Sequence, residues 1–144
     1  MDALELLKSD HERVSSLYDR LKSEPSPRGR ASLFETLRNE LLIHTRAEET
    51  VFYPAFKNYP DFSSLLADSY ESHRDLKRIL KEIDPAHDAT LLERVDAVME
   101  IVQAHVREEE GEFFPKVRQL MKRGEREALG RHLLAAKSES TQAA

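Results

Sequence analysis

His44-Thr45-Arg46-Ala47-Glu48-Glu49-Thr50-Val51-Phe52-Tyr53-Pro54 returns sixty-one residues later as His105-Val106-Arg107-Glu108-Glu109-Glu110-Gly111-Glu112-Phe113-Phe114-Pro115. Both stretches fit His-x-Arg-x-Glu-Glu-x-x-Phe-aromatic-Pro. Residues four apart share one face of an α-helix, so His44 points with Glu48 and His105 with Glu109. A neutral imidazole beside a carboxylate suits iron, manganese or zinc. Each copy has a lone histidine upstream: His11 precedes His44 by 33 residues and His73 precedes His105 by 32. The chain therefore reads as two similar halves. Together they offer four histidines and two carboxylates, enough for one two-metal site.

The halves fall on four long helical patterns. Leu4, Leu7, His11, Val14, Tyr18 and Leu21 form the inward stripe of a first helix over about 3–23. A Pro- and Ser-containing break follows over 23–29. A second helix is expected over 30–57, with Leu33, Leu37, Leu41, His44, Glu48, Val51 and Ala55 facing inward and Pro54 kinking its last turn. A third, over 62–83, carries Leu65, Leu66, Ser69, His73, Leu76, Leu80 and Ile83. The loop Asp84-Pro85-Ala86-His87-Asp88 leads to a fourth, over 89–122, with Leu91, Val95, Val98, Val102, His105, Glu109, Phe113 and Val117 or Lys116. Gly111 and Pro115 predict a bend there.

Four long helices on short loops predict an all-α, up-down-up-down antiparallel four-helix bundle over residues 1–123. A short helix over about 124–137 and a disordered tail from Ser138 complete the chain. In that bundle the four histidines meet in one layer, with the two carboxylates a turn away. Burying these groups without a partner costs several kcal/mol for each unpaired charge, a cost that metal coordination offsets. A hydrogen-bonded polar layer is the alternative.

Composition narrows the function classes. The chain has 144 residues, the size of one domain, with 34% charged and 40% hydrophobic residues. Its net charge is −5 and it shows no basic stripe, which argues against nucleic acid. No apolar run approaches 18 residues, so no membrane span is expected. There is no cysteine, hence no disulfide or thiolate ligand. The acidic, amphipathic start does not read as a signal peptide, and a cytoplasmic location is the default expectation.

None of the four histidines has a glutamate three residues before it, unlike the Glu-x-x-His of ferritin-like di-iron bundles. With His11, His44, Glu48, His73, His105 and Glu109 in this order, the chain over about residues 3–121 resembles the hemerythrin-like, or HHE cation-binding, family. The resemblance implies two non-haem irons. Glu48 and Glu109 would bridge them beside an oxo or hydroxo group, and the four histidines would be terminal ligands. Manganese and zinc suit the same donors.

Two positions depart from the oxygen-carrying hemerythrins. Lys77 stands where they have a further third-helix histidine. Glu110 stands where they have an aspartate five residues after the last histidine. Glu109 is the preferred ligand because it matches Glu48 and faces inward, which leaves Glu49 and Glu110 solvated or in support. The missing imidazole implies a more open metal, with room for water, peroxide or nitric oxide.

The resemblance implies a binder of oxygen, nitric oxide or iron in sensing, storage or stress response. A di-iron enzyme that reduces peroxide or nitric oxide, or repairs iron centres, is the alternative. A bundle whose metal is structural is the third reading. His87 and His132 read as surface histidines, and Phe52, Tyr53, Phe113 and Phe114 as packing at the bundle end. Tyr18 and Tyr70 are candidates for hydrogen bonds near the metals.

Overall fold

The computed structural model describes residues 1–87 and 89–143, the last two without their side chains. Asp88, expected in a loop, and Ala144, expected in the tail, lie outside the described residues. The described chain is all-helical: α1 (Ala3–Ser23), α2 (Pro27–Ala47), α3 (Ser63–Glu82), α4 (Leu91–Glu108), α5 (Phe114–Leu120) and α6 (Arg123–Ala143).

Cross-helix contacts fix the direction of each helix of the bundle. Asp10 meets His44 and Arg13 meets Glu40, so α1 and α2 run antiparallel. Glu49 meets His73, while Arg38 donates to the Ile83 carbonyl, which sets α2 against α3. His73 meets His105 at mid-length. Lys22 reaches Asp96 while His11 reaches Glu110, which closes α4 on α1. The four-helix, up-down-up-down expectation holds.

Local signals explain where the boundaries differ from expectation. α2 begins at Pro27 rather than near 30, because Ser26 caps it by accepting from the Gly29 N–H (3.2 Å) and Pro27 occupies the first turn, where its missing N–H costs nothing. α2 does not stay regular to 57. A π-helical turn, Glu48–Phe52, is followed by a 3-10 turn, Tyr53–Phe56. The Tyr53 N–H bonds to the Glu48 carbonyl, five residues back. The second half repeats this: Glu109–Phe113 is π-helical and the Phe114 N–H bonds to the Glu109 carbonyl.

A proline comes directly after each turn's closing residue pair, at Pro54 and Pro115. Its ring would clash with the carbonyl four residues before it in a regular helix, and widening the ladder relieves that clash. The extra residue rotates the helix beyond it. Below Glu48 the buried residues are Phe52, Tyr53 and Phe56, not the expected Val51 and Ala55. After Phe113 the core continues with Phe114 and Val117, and Lys116 is exposed.

α6 is neither short nor followed by a tail at Ser138; it runs on to Ala143. Leu129 and Leu133 bury themselves against the first turns of α1 and the aromatic end of the bundle. Arg126 pairs with Asp2, and Lys137 with Asp10. Gly130 permits this approach: a Cβ there would lie 2.8 Å from the Met1 carbonyl oxygen and 3.1 Å from the Ala3 nitrogen.

The core has two parts. One, around Phe52, Tyr53, Phe56, Phe62, Phe113 and Phe114, fills the end covered by α6. The other, around Val14, Leu17, Phe34, Leu37, Leu76, Val95 and Val98, fills the opposite end. A buried layer containing His44, Glu48, His73 and Glu109 lies between them.

Candidate metal centre

All six residues expected at the site converge in this layer. Two sets of donors have their ligand atoms within 4.8 Å of one another: His11, His44, Glu48 and Glu109 in one, Glu48, His73 and His105 in the other. Glu48 belongs to both. His11 Nε2 lies 3.2 Å from Glu109 Oε1, and His44 Nε2 3.2 Å from Glu48 Oε1. His73 Nε2 lies 3.1 Å from Glu48 Oε1 and 3.2 Å from His105 Nε2. His105 Nε2 lies 3.2 Å from Glu109 Oε2.

Several of these atoms are buried without a hydrogen-bond partner: Nε2 of His11 and His44, Oε2 of Glu48 and Oε1 of Glu109. A buried donor or acceptor left unmade costs about 1–3 kcal/mol. Here the orphaned atoms face one another, a donor set that suits a hard or borderline divalent ion. The residues present therefore fit a metal.

The opposite ring nitrogens are held by carboxylates. Glu110 lies 2.7 Å from His11 Nδ1, Glu49 2.8 Å from His73 Nδ1, and Asp10 2.7 Å from His44 Nδ1. An outer carboxylate of this kind orients the ring and raises its basicity. Glu49 and Glu110 thus support the histidines, while Glu48 and Glu109 face inward with no exposure. Glu109 lies within the buried cluster and Glu110 behind the His11 ring. Lys77 pairs with Glu49 (2.8 Å), the carboxylate behind His73.

The electrostatics follow from burial against neighbouring charge. Burial pulls the His44 imidazolium down, but Glu48 and Asp10 overcome it and push His44 up to about 10. Burial likewise opposes Glu109 and Glu48 at His105, which also ends at about 10. His73 is raised in the same way by Glu48 and Glu49. Glu48 is held well below the usual carboxylate range: burial works against it, and His44 with the other site groups prevails.

Two participants were not anticipated. Tyr53, read as packing, places its hydroxyl inside the cluster. It donates to Glu109 Oε2 (2.6 Å) and lies 3.1 Å from Glu48 Oε1, 3.2 Å from His105 Nε2 and 3.3 Å from His73 Nε2. Burial, then Glu109 and Glu48, push its phenol well above the ordinary value. Regular helical spacing puts Phe52 beneath Glu48; the π turn delivers Tyr53 there instead. Asp10 was also missed, although Leu7, Asp10, Val14, Leu17 and Leu21 alternate by three and four, so the stripe itself carried the signal.

Tyr18, a candidate near the metals, instead bonds Asp96 (2.5 Å) away from the layer. Tyr70 packs edge-on against Tyr53, 5.3 Å between ring centres. Phe114, the counterpart of Tyr53 in the second half, stacks on His11 at 6.1 Å. His87 is exposed and pairs with Asp84, and His132 is exposed on α6.

Lined by all four histidines lies a cavity of about 20 Å³. Its walls include Val14, Leu41, Leu76, Ile101, Val102 and Val106. That volume holds about one water-sized molecule.

The family model of the Hemerythrin HHE cation binding domain matches residues 2–117. A crystal structure of a Hemerythrin HHE cation binding domain-containing protein from Mycobacterium kansasii superposes with a TM-score of 0.83 at 25% identity, over 99% of this chain and 89% of that one. A Nostoc protein named DNA nickase is 26% identical over 99% of this chain. The chain spans 41% of that relative's length.

Proposed function

Because this chain belongs to the Hemerythrin HHE cation binding domain family, we propose that this metal-binding bundle holds two non-haem irons and binds a small ligand such as oxygen, nitric oxide or peroxide. The observation that carries this reading is the set of buried His and Glu atoms that face one another without making hydrogen bonds. His11 and His44 would hold one ion and His73 and His105 the other, with Glu48 and Glu109 shared between them. A pair of irons supplies redox chemistry and a coordination position for a small ligand.

The protein's own part is geometric and electrostatic. Glu110, Glu49 and Asp10 turn the Nε2 atoms of His11, His73 and His44 inward. The cavity beside the histidines, about 20 Å³ and walled in part by aliphatic side chains, has the size of one small molecule. Tyr53 holds a proton against Glu109 within the layer.

The name of the Nostoc relative does not extend naturally to this chain. A net charge of −5 works against attraction to a polyanion, and the matched segment is a minority of that protein.

Metal analysis of freshly purified protein tests the reading. About two irons per chain, with near-ultraviolet absorption that shifts on adding azide or nitric oxide, is the expected result. If His44→Ala still held two metals with unchanged affinity, the ligand assignment would be wrong.

A second reading, an enzyme that reduces peroxide at this centre, is favoured by the Tyr53 proton. It predicts turnover of hydrogen peroxide that falls in Tyr53→Phe while metal content stays the same.

A further inference from the structure

The two halves correspond residue for residue around the centre, with His11, His44, Glu48 and Glu49 answered by His73, His105, Glu109 and Glu110. Their outer supports cross over symmetrically: Glu110 backs His11 and Glu49 backs His73, at 2.7 and 2.8 Å. The symmetry then fails at one place. Asp10 backs His44 Nδ1 at 2.7 Å, but the residue matching Asp10 in the second half is Ser72. Among the described residues no carboxylate stands behind His105 in the corresponding way; its contacts to Glu48 and Glu109 are made by Nε2.

Asp10 is itself fixed from outside the bundle. Its other oxygen is bonded by Lys137, which α6 carries over the site. The family match ends at residue 117, so this support comes from a segment beyond the matched region. Both carboxylate oxygens of Asp10 are thus committed, one to the imidazole and one to the ammonium. Such a carboxylate keeps His44 in the tautomer that presents the Nε2 lone pair, and strengthens that nitrogen as a donor. Ser72 offers no charge to do the same for His105.

We infer that the two metal positions are inequivalent: the one at His11 and His44 is the tighter, because Asp10, braced by Lys137, positions His44, while the one at His73 and His105 loads second and exchanges. This rests on the two-metal reading above. Asp10 and Lys137 touch no metal in this account; they act through His44. The C-terminal helix is therefore tied to the affinity of one metal and not the other.

Anaerobic titration of the metal-free chain with Fe(II), followed by calorimetry and by native mass spectrometry, tests this. The wild-type chain is expected to take two ions in two resolved steps. Asp10→Asn should weaken the tighter step by about 10–100-fold, the usual cost of losing an outer-shell partner, and leave the weaker step in place. Lys137→Met should weaken the same step by a smaller factor. Ser72→Asp works in the opposite direction: it should strengthen the weaker step and narrow the gap, and a loss of folding in Asp10→Asn would not affect it. Circular dichroism of each metal-free variant reports the fold separately.

Two ions taken up in a single unresolved step would overturn the inequivalence while leaving the two-metal reading intact. So would an unchanged tight step in Asp10→Asn, or an unchanged weak step in a folded Ser72→Asp. Fewer than two ions in the wild-type chain would remove the two-metal reading, and this inference with it.

Discussion

Loading the metal-free chain with a divalent ion should expel protons, and the number is fixed by the layer. His44 and His105 are each held at about 10, against an ordinary value near 6.5, because the neighbouring carboxylates outweigh burial. At pH 7.5 both are imidazolium. A ligating nitrogen must be free of its proton, so each gives one up on coordination. Calorimetry in phosphate and in Tris, whose ionisation enthalpies differ, reads the count as the slope of heat against buffer enthalpy. Two or more protons per chain are expected.

The same groups set the dependence on pH. Their folded values lie above the unfolded one, so the stability they give the metal-free chain is complete below about 6.5 and is lost as pH rises through about 10. Metal affinity moves the other way. With two protons displaced, the overall constant for filling both positions climbs about a hundredfold per pH unit while both rings stay protonated. Proton release near zero at pH 7.5, or a metal-free chain that gains stability between pH 7 and 9, would refute the reasoning.

Tyr53→Phe removes the donor 2.6 Å from Glu109 while keeping a ring of the size that Phe114 shows the matching position accepts. Denaturant melts of the metal-free variant should lose about 1.5–3 kcal/mol, the range for a hydrogen bond to a charged group; an unchanged midpoint would show that the phenol contributes nothing there. Leu133→Ala empties a fully buried site between α6 and the bundle and should cost about 2–5 kcal/mol in the same measurement. Gly130→Ala should destabilise too, against the helix-propensity gain of about 1 kcal/mol, because its Cβ would meet backbone at 2.8 and 3.1 Å. A higher melting temperature in that variant would contradict the close packing of α6 on α1.

The repeated His-x-x-x-Glu made the inner face of the site legible, because residues four apart share a helix face whatever surrounds them. The bundle was legible for the same reason, from leucines and valines at three and four spacing. Tyr53 was not, because its place depends on an extra residue in the helical ladder. A constant 3.6 period cannot register that insertion, although a proline six residues after each inner glutamate marks where it occurs.

The supports behind the rings, Glu49 and Glu110, were visible as charges but not as partners. Their histidines lie 24 and 99 residues away in sequence, and only the packed bundle closes those distances. α6 was underestimated because its apolar content is low. Its attachment comes from Arg126 reaching Asp2, the N-cap of α1, and Lys137 reaching Asp10 within it, as much as from Leu129 and Leu133.

A core cut in two by an ionised layer has a consequence for how the molecule comes apart. The aromatic end and the aliphatic end each pack well, but without metal the tier between them is held mainly by charge and hydrogen bonds. Coordination bonds running to all four main helices would rivet the ends into one cooperative unit. The metal-loaded chain should therefore melt in a single sharp transition. The stripped chain should melt broadly, one end loosening before the other, so that the steepness of unfolding becomes a readout of how full the centre is.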